Sequence, residues 1–129
     1  MSLRMEARKY QLTVQLMQVN IPDKWDKTTI SIASCAYRLN RIKELKTLEG
    51  TIRMFPNEVW KHALVCDGWW SNAAITLSPE AISNLAIIDG SVDCIEISSN
   101  SVTCFWKELG DDKSVKALAE LLQELQNIR

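Results

Sequence analysis

At 129 residues the chain has the size of one ordinary domain, long enough to bury a core without disulfide or metal staples. Hydrophobic residues make up 47% and charged residues 24%, which excludes disorder as the dominant state. The 15 basic and 16 acidic residues leave a net charge of -1, which weighs against a general nucleic-acid binder, since such binding rests on a basic surplus that neutralises phosphates.

The charged start, Met1 to Lys9, lacks the apolar stretch of a signal peptide. No apolar run approaches the ~20 residues that span a bilayer. With no secretory signal, Cys35, Cys66, Cys94 and Cys104 read as reduced thiols, and the chain as cytoplasmic. No CxxC or HxxxH pair occurs, so neither a metal nor a cofactor is expected.

In chain order, Tyr10 to Val19 alternates, with Tyr10, Leu12, Val14 and Leu16 on one side, and predicts a strand that ends near Pro22. Lys27 to Leu48 predicts a helix, because Ile32, Cys35, Ala36, Leu39, Ile42 and Leu45 recur three or four apart, with Gly50 as its stop. Short strands are expected at Thr51 to Phe55, Val59 to Cys66 and Ala73 to Leu77, with Asp67-Gly68 as the turn between the last two. Ser78-Pro79-Glu80 opens a helix running to about Ile87: Ser78 caps, Pro79 needs no amide partner, and Glu80 suits the positive end of the dipole.

Val92 to Ile97 and Val102 to Lys107 form a hairpin around Ser99-Asn100. Ile97 then faces Val102 and Ile95 faces Cys104, which gathers Ile95, Ile97, Val102, Cys104 and Trp106 on one face. Cys94 and Cys104 then point to opposite faces. Lys113 to Ile128 is the last helix, with an apolar stripe of Val115, Leu118, Leu121, Leu122, Leu125 and Ile128.

This order predicts a single α+β domain over residues 1–129, an antiparallel or mixed sheet with helices packed on it. Its first six elements match the split β-α-β pattern of ferredoxin-like sandwiches, with an added C-terminal strand and helix. The wide stripe of the last helix, in excess of what one half-covered sheet face takes up, predicts a homodimer built through that helix or through Trp69 and Trp70.

No catalytic constellation stands out. Glycine-rich phosphate loops and the known hydrolase spacings are absent, and the carboxylates read as caps and turn formers. Tryptophan is the outlier, with five residues. Trp69 and Trp70 are neighbours after a turn, so in an extended segment one is buried and the other exposed, a reasonable anchor for a partner or a flat ligand. Trp60, the lone His62 and Asp67 are the other candidate binding residues. Arg38, Arg41, Lys43 and Lys46, with Arg53 downstream, form a basic stretch that reads as a solvated helix face. The sequence therefore predicts a non-enzymatic binding or regulatory domain that recognises a protein partner or a small ligand. The alternatives are an oligomeric structural subunit, or a small enzyme with a dispersed site drawn from His62, Asp67 and Cys66.

Overall fold

The computed structural model describes residues 3–22, 29–41, 50–59, 61–66, 68–73, 75–88 and 90–126. Among the described residues three helices and seven strands follow in the order α1 (Leu3–Arg8), β1 (Thr13–Pro22), β2 (Thr29–Asn40), β3 (Ile52–Phe55), β4 (Ala63–Cys66), β5 (Trp69–Ser71), α2 (Pro79–Ile88), β6 (Val92–Ile97), β7 (Ser101–Trp106) and α3 (Asp112–Leu125). The strands make one antiparallel sheet in the order β1-β2-β7-β6-β3-β5-β4. The α+β class with an antiparallel sheet is as the sequence predicts.

The β6–β7 hairpin takes the predicted register, with Ile97 opposite Val102 and Ile95 opposite Cys104. Ile95, Ile97, Val102, Cys104 and Trp106 are all buried in the main core, while Cys94 and Phe105 belong to a smaller cluster on the other face. A register shift between Val92 and Cys94 turns Val92 onto the main-core face, where simple alternation would have set it beside Cys94.

One expected element is different in kind. Residues 29–40 form a twelve-residue strand, not a helix. Thr29, Ile30, Ile32 and Tyr37 are β-branched or aromatic, and pairing on both sides with β1 and β7 outweighs the helical spacing. The remainder of the expected helix, residues 27–28 and 42–48, lies outside the described residues. With that helix gone, the split β-α-β order of a ferredoxin-like sandwich does not form. Arg38 and Arg41 stand on and just after a strand, and do not share a helix surface. Two smaller shifts follow. The strand expected at Val59 to Cys66 begins at Ala63, after Lys61 takes φ 61°, and the one expected at Ala73 to Leu77 is instead Trp69–Ser71.

Helix α2 begins at Pro79, and the Ser78 hydroxyl accepts from the Ala81 amide at 3.1 Å. Helix α3 has a full capping box: Asp111 accepts from the Lys113 and Ser114 amides, and the Ser114 hydroxyl answers the Asp111 amide. At its other end Arg41 donates to the Gln126 carbonyl and, at 2.9 Å, to the Ser98 carbonyl, a cation placed at the negative end of the helix dipole.

Val115, Leu118, Leu121, Leu122 and Leu125 are all buried in the main core, packed with α2 against one sheet face. The helix that was expected to compete for that face is a strand, so α3 has room to close the core of its own chain. Its apolar stripe therefore supplies no reason for dimerisation; Ile128 lies outside the described residues. Among the described residues no helix is long and apolar enough to cross a membrane.

Candidate functional site

The helices cover one face of the sheet, and the other face carries its own buried cluster with partly exposed polar groups around it. Residues opposite one another across an antiparallel sheet share a face. The register thus lines up Arg38, Thr103, Glu96 and Arg53 as one polar row across β2, β7, β6 and β3. Beside it lie Ala36, Phe105 and Cys94, buried with Val19, Phe55 and Val59 as an apolar floor.

Arg53 organises this face. Its Nε donates to the Glu96 carboxylate at 3.0 Å, its guanidinium carbon lies 4.9 Å from the Phe55 ring centroid, and its Nη2 donates to the Asn20 carbonyl at 2.6 Å. The last bond is informative about shape. In a flat sheet β1 and β3 would be four strand spacings apart, roughly 19 Å. A side chain on β3 reaches the main chain of β1 only because the sheet coils, bringing the far end of β1 over the open face. The result is a cleft of about 360 Å³ lined by Met17, Gln18, Val19, Asn20, Thr51, Arg53, Glu96 and Phe105.

The wall continues on both sides. Arg38 donates from Nε to the Thr103 hydroxyl at 3.2 Å and from Nη2 to the Met17 sulfur at 3.4 Å, and among the described residues it has no carboxylate partner. Further along β6, the Ser34 hydroxyl donates to Asp93 at 2.7 Å, with the Lys107 ammonium 3.6 Å from the same carboxylate.

The predicted site residues divide as follows. Trp69 is only 2% exposed and belongs to the main core, whereas Trp70 is partly exposed and pairs with Phe55 on the open face. The two indoles point to opposite faces as expected, though Trp70 is half-buried where the sequence predicts an exposed ring. His62 precedes β4, with its ring 5.7 Å from Phe55. Its Nδ1 is buried without a hydrogen-bond partner. Burial first, and the Arg53 charge second, hold its pKa below the ordinary value, so the ring is neutral at neutral pH. Trp60 and Asp67 lie outside the described residues. The structure thus brings Trp70 and His62 together with Arg53 and Phe55, and leaves Trp69 out.

The sequence places Arg38 and Arg53 in a basic stretch without connecting either to Glu96, and gives Met17, Asn20 and Thr51 no role in a site. Arg53 and Glu96 are 43 positions apart, and only the β3–β6 pairing joins them.

Two other places gather polar side chains. Between α2 and α3 a larger groove of about 460 Å³ is lined by the polar residues Glu80, Asn84, Glu120, Gln123 and Glu124. Under α1, the Glu108 carboxylate accepts from Arg4 Nε and Nη2 at 3.0 Å, from Tyr37 at 2.6 Å and from the Cys35 thiol at 2.9 Å. Glu108 has φ 60° and its pKa is held down to about 2, chiefly by the Arg4 hydrogen bond, against the opposing effect of burial. Burial raises the Cys35 thiol above its ordinary value, so it is no activated nucleophile. This cluster fastens α1 to the sheet. No disulfide joins the four cysteines, and Cys94 and Cys104 lie on opposite faces as expected.

Comparison with protein-family models, with curated proteins and with solved structures finds no match. The functional reading therefore rests on this site alone.

Proposed function

We propose that this chain is a non-enzymatic binding domain and that it takes its partner on the open, coiled face of the sheet. The observation that carries the reading is the cleft between β1 and β3: an apolar floor, a wall of fixed polar groups, and a partly exposed Trp70 beside it. Recognition sites of this kind combine apolar contact with a few placed hydrogen-bonding groups. Arg38, with no carboxylate partner among the described residues, favours a partner that presents an acidic or other acceptor group there. A protein loop or a small ligand of that chemistry fits. Cysteines without disulfides, Cys35, Cys94 and Cys104 being buried, support a reducing, cytoplasmic setting.

The test uses a fragment library rich in aryl carboxylates, screened by saturation transfer. Thr51 is exposed at the mouth of the cleft, so Thr51→Trp fills it without disturbing the core. Fragments that bind the wild-type chain should lose binding in Thr51→Trp and keep it in Asn84→Trp, which fills the α2–α3 groove. The reverse pattern, or no effect of either, would refute the reading. Self-association is a second reading, favoured by the free edge of β1 and not by α3.

A further inference from the structure

We infer that the free edge of β1 pairs with β1 of a second copy, joining two seven-stranded sheets into one across a two-fold axis. The reasoning starts from how the two ends of the sheet are finished. The β4 edge is four residues long and its pairing is interrupted by a register shift between Leu64 and Cys66. Short length and irregularity are the ordinary ways to blunt an edge against further pairing. The β1 edge has neither. It runs ten residues from Thr13 to Pro22, pairs with β2 without a single register shift, and among the described residues has no strand on its other side.

Its side chains, Thr-Val-Gln-Leu-Met-Gln-Val-Asn-Ile-Pro, include no charge at all in a chain with 31 charged residues, 15 basic and 16 acidic. The lysines and inward-pointing carboxylates that protect other edges are missing, and only Pro22 stands at the end. Leu16, near the middle of the strand, is 69% exposed. A long, regular, uncharged edge with an exposed leucine is a template for another strand.

The second copy is the occupant these features select. An uncharged strand has nothing with which to steer or discriminate a charged peptide, whereas β1 against itself buries no unpaired charge. Arg53 already takes the Asn20 carbonyl, so the free stretch is the part before Asn20. An antiparallel pairing centred on Leu16 uses that stretch. It sets Leu16 against its own copy, Val14 against the second copy's Gln18, and Gln15 against the second copy's Met17. Residues of the same face meet in every pair, as a two-fold axis normal to the sheet requires. Leu16 itself lies opposite Cys35 on the helix-bearing face, while Met17 and Gln18 are shared between this pairing and the wall of the cleft.

The experiment is light scattering across a wide dilution series, with Leu16→Lys and Leu16→Cys variants. The wild-type chain should reach the mass of two chains, and Leu16→Lys should stay at one while keeping the wild-type circular dichroism spectrum. Under mild oxidation Leu16→Cys should cross-link to its own copy, and Leu64→Cys at the other edge should not; this holds whether or not the lysine variant folds. A wild-type chain that is monomeric throughout, a folded Leu16→Lys that still dimerises, or cross-linking through Leu64→Cys alone would each overturn the proposal.

Discussion

Arg53 on β3 holds the main-chain carbonyl of Asn20 on β1 at 2.6 Å, although three strands separate them in the sheet. That bond is the clasp of the coiled sheet. Arg53 also pairs with Glu96 and lies against Phe55. Replacing it with Met keeps the stem but removes the clasp and leaves Glu96 without its cation. The ion pair is only partly exposed, so a loss of roughly 1–2 kcal/mol is expected, near the upper end for such pairs. Urea unfolding measures it, and hydrogen exchange at Val19 to Ile21 should quicken with it.

Ser91 is the relay that lets Trp106 be buried. Its hydroxyl accepts from the indole N–H at 2.8 Å and donates to the Ile88 carbonyl at 2.6 Å, and the indole stands edge-on to Tyr37 with centroids 5.1 Å apart. Ser91→Ala leaves a buried indole N–H unsatisfied and should cost about 1–3 kcal/mol. The check is the shift in urea midpoint, and in a Trp106→Phe background, where no indole N–H remains at Ser91, Ser91→Ala should cost clearly less.

Glu108 makes the chain sensitive to acid. Its carboxyl titrates at about 2 when folded, below the ordinary 4.5, chiefly through Arg4 and then through Cys35 and Tyr37. A depressed carboxyl pKa contributes stability that is present above pH 4.5 and is lost as the pH falls toward 2. The melting temperature should fall across that window, and Glu108→Gln should flatten the fall while lowering stability at neutral pH. An unchanged acid profile in the variant would count against the clamp.

His62 reports on the open face. Burial and Arg53 keep it neutral, so its ring protons should titrate below the ordinary 6.5. A lowered histidine pKa means that protonation opposes folding: stability is lost as the pH falls below 6.5 toward the folded value. The nuclear magnetic resonance titration should move upward in Arg53→Met, since one of the two causes is then gone.

Local chemistry made part of this fold legible. The β6–β7 register follows from period-two alternation and a two-residue turn, and the starts of α2 and α3 follow from their caps. Strand β2 was not legible. It is covered by helices on the side of Tyr37 and Leu39 and by the small cluster on the side of Ile32 and Ala36. A strand with apolar residues on both faces loses its period-two contrast, and its spacing then matches a helix equally well.

The site was half legible for the same kind of reason. Adjacency alone separates Trp69 from Trp70, because neighbours in a strand point apart. Nothing local joins Arg53 to Glu96 or to Asn20, since coiling of the whole sheet makes those contacts. The unblunted β1 edge is visible in the sequence as an uncharged run, but that run marks an edge only once the strand order is known.

The most direct measurement of the binding proposal is chemical-shift mapping on the isotope-labelled chain with the fragments that saturation transfer selects. The perturbed signals should cluster at Met17, Asn20, Thr51, Arg53 and Phe105, with the indole N–H of Trp70 moving and that of Trp69 still. Perturbations confined to Glu80, Asn84 and Glu120, with the open face silent, would contradict the account.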